Sequence, residues 1–242
     1  MRNPRIYTPL SLAVNSELDL PSSAVNHVVQ VLRMNQGDSL ILFNGEQGSF
    51  QGQIVAATKK NVTVRLNAAI ENYSESPLRI ELGQVISRGE RMSYAIQKAT
   101  EMGITDITPL LSERCEVKLN AERQEKKRLH WQHIAISACE QSGRNQIPTI
   151  NKPVTILQWL NNRATELNFV LHRCASKKLQ AYSKPLSVSL LIGPEGGLTP
   201  EEITLAEHHR FNMLGIGPRV LRTETAPIVA ASILHYLWGD LR

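Results

Sequence analysis

The chain is poor in the residues that build covalent or metal frameworks. Its three cysteines, Cys115, Cys139 and Cys174, are odd in number, widely spaced and in no C-x-x-C pair. That spacing excludes a disulfide scaffold and a cysteine zinc site, and it fits a reducing compartment. The seven histidines form no H-E-x-x-H or similar ligand spacing, so the expectation is no metal. No apolar run is long enough to cross a bilayer. Met1-Arg-Asn-Pro-Arg-Ile-Tyr7 has no apolar core of a secretory signal, and a cytoplasmic protein is expected. Internal repeats and low-complexity tracts are missing too. Familiar catalytic and nucleotide motifs are also absent: there is no Walker A loop and no G-x-S-x-G elbow. Gly215-Ile-Gly217 opens like a dinucleotide fingerprint but has Val220 in the sixth position, too late in the chain for a following acidic residue. Charge is present but nearly balanced, with 27 Lys and Arg against 22 Asp and Glu and a formal net charge of +5. Such an excess permits a nucleic-acid partner without requiring one.

What is present falls into two parts. Residues 1 to about 72 form a β-rich module. Strands are predicted over Arg5–Leu10, Ser39–Phe43, Ser49–Ala57 and Asn61–Ile70, joined by glycine- and asparagine-bearing turns. One helix from Pro21 to about Met34 interrupts them, with Val25, Val28, Val29 and Leu32 at helical spacing and Gly37 as its stop. A small barrel with a helix on its side is expected. The polar stretch Glu71–Pro77 reads as a linker.

Beyond the linker the pattern alternates. Strands are expected at 78–86, 104–111, 169–172 and 188–192, with helices at 90–102, 121–141, 154–162, 199–210 and from about 224 to Trp238. This alternation implies an α/β domain with a mostly parallel sheet. Thr199 should cap its helix, ahead of Pro200, Glu201 and Glu202. The last helix is apolar nearly all round, so it is buried on more than one side, either by core alone or by core and a subunit interface.

Two glycine turns near the end draw attention, Ile192-Gly-Pro-Glu-Gly-Gly197 and Leu214-Gly-Ile-Gly-Pro-Arg219, the second flowing into Val220-Leu-Arg-Thr-Glu-Thr-Ala-Pro227. Each follows an apolar strand-like run and precedes a helix start. Together, at strand ends, they can present main-chain groups to a planar heterocycle. Candidate phosphate contacts are Arg88, Arg91, Lys98, Arg114 and Arg144, with Arg2, Arg5 and Arg33 in the first module. Arg123, Lys126, Lys127 and Arg128 cluster at a helix start and read as a solvated face.

These motifs resemble the RsmE family, the bacterial 16S rRNA uridine-N3 methyltransferases of the SPOUT class. The resemblance spans essentially the whole chain. It is carried by His27-Val-Val-Gln-Val-Leu-Arg33 with Gly37-Asp38, by Arg91 to Gly103, by Ser137-Ala-Cys-Glu-Gln-Ser-Gly-Arg144, and by the two glycine turns with their Arg-Thr-Glu-Thr string. Leu198, Ile216 and Val220 depart from the family's usual residues but stay apolar.

The resemblance implies a PUA-like RNA-binding β-barrel over 1–72 and a trefoil-knotted SPOUT methyltransferase domain over 73–242, acting as a homodimer on 16S rRNA in the 30S subunit. It implies S-adenosylmethionine as cofactor, held around Leu171, Gly193, Pro194, Gly196, Ile216, Gly217 and Leu221. RNA would meet Arg2, Arg5, Arg33, Arg88, Arg91, Arg144 and Arg219. Arg222 is expected to stabilise a uridinate oxygen. Two readings stand for Glu224, proton acceptor or cap of the last helix. Another base or a ribose 2′-hydroxyl as target, and a non-catalytic assembly factor, are the competing readings.

Overall fold

Residues 3–71, 74–115, 120–172 and 179–241 are described by a computed structural model, in which the chain divides into two units. Arg2 and Cys174 lie outside the described residues.

The first unit comprises Met1–Glu75 together with Cys139–Ile147. Its strands are β1 (Arg5–Tyr7), β2 (Glu17–Asp19), β3 (Ser39–Phe43), β4 (Ser49–Ala57) and β5 (Val62–Ile70), in the order β1-β3-β4-β5-β2. All pairs are antiparallel except β1 with β3. Two register shifts between β4 and β5, at Gln51/Gly52 and Ile54/Ala56, mark bulges that bend the sheet. Alternate residues of the strands, Leu40 and Leu42, Val62, Val64 and Leu66, meet Ile6, Ile54 and the helical Val25 and Val28 in one buried cluster. This is the packing of a small barrel.

The single helix expected over 21–34 is two pieces. Helix α1 (Ser22–Asn26) passes directly into a π-helical turn, His27–Val31, closed by Leu32 N–H donating to the His27 carbonyl at 2.9 Å. The wider turn buries Val28 while leaving Val31 68% exposed. The turn ends at Arg33, whose φ of +54° breaks the helix before Gly37 is reached. The first strand stops at Tyr7 rather than Leu10, and β2 was not anticipated.

The segment 139–147 returns to this unit through charge. Arg144 pairs with Glu75 at 2.9 Å, and the other Glu75 oxygen accepts from the Asn145 and Gln146 main chain, each at 2.9 Å. Arg5 Nη2 donates to Asn145 Oδ1 at 2.7 Å and to the Arg144 carbonyl at 3.1 Å, while its guanidinium lies over Phe43. Arg144 is 2% exposed, so a phosphate contact is ruled out for it in this structure: its charge is already spent on Glu75. Cys139 sits in the same place, its thiol pushed up to about 12 by burial.

The second unit holds Ser76–Ala138 and Pro148–Arg242. Among the described residues its strands, all parallel, are β6 (Arg79–Val85), β7 (Asp106–Leu111), β8 (Thr149–Ile150), β9 (Val154–Thr155), β10 (Leu167–Leu171), β11 (Ser187–Ile192) and β12 (Asn212–Leu214). They run in the order β12-β10-β11-β6-β7-β8, with β9 also on β7. The helices are α2 (Arg91–Glu101), α3 (Ala121–Ser142), α4 (Ile156–Asn161), α5 (Pro200–His208) and α6 (Ala226–Trp238). Central strands β6 and β11 are buried on both faces, as a covered parallel sheet requires. Their side chains split between two apolar clusters: Leu82, Leu190 and Ile192 pack with Ala230 and Leu234, while Val85 and Leu191 pack with Trp159 and Phe211. Asn120 caps α3 by accepting from Arg123 N–H at 2.9 Å. The stretch expected as one helix from 154 begins as β9 and becomes α4, with Thr155 and Gln158 forming a capping box.

Candidate functional site

Strands β12, β10 and β11 are neighbours and parallel, so their carboxyl ends lie side by side. Ligand clefts of open α/β sheets form at such edges. Here a cavity of about 680 Å³ opens, and its lining includes the end of β10 and the loops after β11 and β12.

The first loop is held by its own turn and by contacts from outside it. Gly197 N–H donates to the Pro194 carbonyl at 2.9 Å with φ of +70° at Gly197. Thr199 is the expected N-cap of α5, and Glu202 completes a capping box with it; Glu202 Oε1 also accepts from Glu113 N–H at 2.9 Å. Arg114 donates to the Gly196 carbonyl at 2.9 Å, and Arg91 pairs with Glu195 at 2.9 Å. Burial would raise the Glu195 carboxyl. Hydrogen bonds from its own main chain, from Arg91 and from the Arg88 main chain outweigh burial and hold it below the usual carboxylate range. A Cβ on Gly193 would come within 3.0 Å of Leu198, whereas one on Gly196 would meet only the Arg114 side chain, at 3.7 Å.

The second loop turns at Gly217, whose φ of +116° suits glycine. It then passes Thr223, whose hydroxyl donates to the Gly193 carbonyl at 2.8 Å and accepts from Gln84 Nε2 at 3.0 Å. Helix α6 follows. Its first turn is closed by the Arg222 carbonyl, which accepts from Thr225 and Ala226 N–H at 2.9 and 3.0 Å. No side chain caps α6, so the capping reading of Glu224 is corrected: the main chain already closes that turn. The Glu224 side chain is instead 13% exposed, with Oε1 4.0 Å from Arg222 Nη1. Its Oε2 is buried and has no hydrogen-bond partner among the described residues. Arg222 is 79% exposed.

Leu171, Gly193, Pro194, Gly196, Ile216, Gly217 and Leu221 all line this one cavity, together with Arg91, Arg219, Arg222 and Glu224. Arg88 and Arg91 also border a smaller adjoining depression with Glu195. Arg33 is exposed in the first unit, where Arg5 is half-buried and engaged as described. Sequence reasoning missed Gln84 and the anchoring of Glu195. Neither had a signal, because Gln84 sits mid-pattern in a strand and the Arg91–Glu195 partners are far apart in sequence. Among the described residues no group of three or more His, Cys, Asp or Glu side chains comes together, and no helix is long and apolar enough to cross a membrane.

The cavity suits a ligand that is part apolar plane and part cation. Leu171, Ile216 and Leu221 provide apolar wall, and main chain at two glycine turns approaches without side chains. The buried Glu224 Oε2 is left open to a polar or cationic group of such a ligand. S-adenosylmethionine has that composition, with an adenine, a sulfonium and an ammonium.

Comparison with known proteins agrees. An RNA methyltransferase domain family matches residues 74–235, and an RNA methyltransferase PUA domain family matches 20–67. The chain is similar to the ribosomal RNA small subunit methyltransferase E of Buchnera aphidicola from Schizaphis graminum, 39% identical, with 99% of this chain and 98% of the relative covered. The Bacillus subtilis protein of that name is 34% identical over 90% of this chain and 89% of its own. Among solved structures, a Legionella pneumophila methyltransferase with SAM bound superposes with a TM-score of 0.96 at 47% identity, covering all of both chains. The Neisseria gonorrhoeae ribosomal RNA small subunit methyltransferase E, bound to S-adenosyl methionine, gives 0.93 at 36% identity, again over all of both chains.

Proposed function

Because the chain belongs to the ribosomal RNA small subunit methyltransferase E family of S-adenosylmethionine-dependent RNA methyltransferases, we propose that it methylates N3 of a uridine near the 3′ end of 16S rRNA, in the assembled 30S subunit. The observation that carries the chemistry is the Glu224 carboxylate, whose Oε2 is buried without a hydrogen-bond partner among the described residues, in a cavity that Arg222 also lines. Bound S-adenosylmethionine supplies a methyl group on a positively charged sulfur. Uridine N3 is a poor nucleophile until it loses its proton. Glu224 accepts that proton as general base. Arg222, largely free in solvent at the rim, donates to a uracil oxygen and stabilises the charge left by deprotonation. Arg91 and Arg219, also on the lining, are suited to backbone phosphates. Leu171, Gly193, Pro194, Gly196, Ile216, Gly217 and Leu221 hold the cofactor, in this reading, with main chain reading the polar edge of adenine.

Two features support a knotted homodimer, acting in the cytoplasm where ribosomes are assembled. The segment after β12 leaves the sheet edge and is next fastened at Thr223 to the ends of β11 and β6, so it crosses strand ends before α6 begins. Val229, Ile233, Tyr236 and Leu237 recur at helical spacing on α6 and stay partly or largely exposed, an apolar stripe that suits a second copy.

Incubation with methyl-labelled S-adenosylmethionine and small subunits lacking the modification, followed by nucleoside analysis, tests this. Label in 3-methyluridine is expected. Label in another base or a 2′-O-methylribose, or no transfer at all, would replace the reading.

A further inference from the structure

We infer that Thr223, clamped by Gln84, is a positioning residue that fixes Arg222 and Glu224 against the first glycine loop. The inference rests on the proposed methyl transfer but concerns residues outside it. Gln84 is the penultimate residue of β6 and pairs in register with Ile192, the last residue of β11 before Gly193. Its amide nitrogen donates to the Thr223 hydroxyl at 3.0 Å and to the Val85 carbonyl at 3.2 Å. The Thr223 hydroxyl passes its own hydrogen to the Gly193 carbonyl at 2.8 Å. One hydroxyl therefore joins three chain segments, the ends of β6 and β11 and the stretch that carries Arg222 and Glu224.

The orientation of the amide is not arbitrary. Turning it over would set its oxygen against the Val85 carbonyl and break the donor chain. As it stands, Gln84 Oε1 is buried with no partner among the described residues, on a side chain that is fully buried. A polar group left unsatisfied in a core opposes folding, and an apolar residue of the same length would avoid that cost. Stability does not explain glutamine here. Holding Thr223 does, because its neighbours on either side, Arg222 and Glu224, line the cavity with it. With the hydroxyl tied down, Arg222 and Glu224 have little freedom to drift along the crossing segment. Since Gly193 is also a cavity residue, the same clamp sets the distance between the cofactor loop and the reacting groups.

Two variants test this, each measured for cofactor affinity by calorimetry, for methyl transfer in a single turnover at saturating cofactor and subunit, and for melting without cofactor. Thr223→Val keeps the shape and removes both hydrogen bonds. It is expected to weaken S-adenosylmethionine binding about tenfold and to slow transfer about a hundredfold, the scale of a small misplacement of reacting groups. Thr223→Ser is expected to restore both. Gln84→Met removes the donor and the orphaned oxygen together, so it is expected to melt no lower than the parent while still losing affinity and rate. Gln84→Met that binds and turns over like the parent, or Thr223→Val with unchanged affinity or rate, would overturn the clamp. If the parent binds cofactor yet transfers no methyl group, the proposed reaction falls, and the affinity and melting of the same variants still decide the clamp.

Discussion

At the scale of single residues the site separates into groups open to solvent and groups that touch only each other. Arg222 is the clearest of the first kind, since its guanidinium is mostly in solvent and its contact with Glu224 is a long one at 4.0 Å. Arg222→Ala should therefore leave the cofactor affinity within a few-fold and lower the transfer rate by about a hundred- to a thousandfold, the effect of removing one donor to developing charge. Glu224→Gln keeps size and polarity but cannot accept the proton, and a loss of about a hundredfold or more is expected. Near-parental single-turnover rates in either variant would remove that residue from the mechanism. A different residue reports on stability. Burial, with Glu81 nearby, raises the Asp106 carboxyl above its ordinary 3.8 despite Arg163, Arg79 and the Asn151 amide. The folded state thus holds that proton more tightly than the unfolded one. The resulting contribution to stability is complete below pH 3.8 and is lost as pH rises through the folded value. Asp106→Asn should melt higher than the parent at pH 7, and the difference should close as pH falls toward 3.8; an equal difference at both pH values would contradict it. The residues of both glycine turns were legible because glycine at a strand end has few other uses. Gln84 was not, since a strand buried on both faces shows no alternation to mark a polar residue as out of place.

Elements were legible where a local signal decided them. The N-cap at Thr199, the start near Glu224-Thr-Ala-Pro227 and the apolar stripe of α2 are properties of short windows, and each element begins within two residues of where they indicate. Elements decided by tertiary partners were not. Strand β2 is three residues long and exists by pairing with Thr63–Arg65 of β5. The π-helical turn after α1 keeps Val28 in the core and lifts Val31 out, a choice of packing rather than of propensity. The first glycine loop is the element where conformation and cavity can be tested apart. A side chain at Gly193 would collide with Leu198 and the loop itself, so a change there reads folding. At Gly196 the space toward the protein is open apart from Arg114, and φ is ordinary. Gly196→Val should keep the melting temperature and intrude on the cavity instead. Overpacking of about 1–3 kcal/mol corresponds to about a five- to hundred-and-fortyfold weaker binding of S-adenosylmethionine. Calorimetric affinity equal to that of the parent would move the cofactor away from this loop.

At the scale of the whole chain, a linear division near residue 72 describes where the composition changes, but the first unit also claims residues 139–147. Nothing in a one-dimensional pattern announces that return, because it rests on ion pairs and hydrogen bonds between positions about seventy and about one hundred and forty residues apart. Ser-Gly-Arg144 looked like a basic functional motif for the same reason: a buried arginine and a phosphate-binding arginine are identical in sequence. Burial distinguishes them, and it also predicts an asymmetry between the partners. Glu75→Ala removes the carboxylate that faces the buried Arg144 guanidinium, which should cost the first unit about 3–5 kcal/mol. Arg144→Met leaves Glu75 less buried than its partner and still accepting from two main-chain N–H groups, so its cost should be nearer the about 1–3 kcal/mol of a lost hydrogen-bonded contact. A chain of two units need not unfold in one step, so the measurement is native-state hydrogen exchange read at amides of β3 and β4. Protection lost in both variants alike, or more in Arg144→Met, would mean that the segment is held by packing and that its charges are incidental.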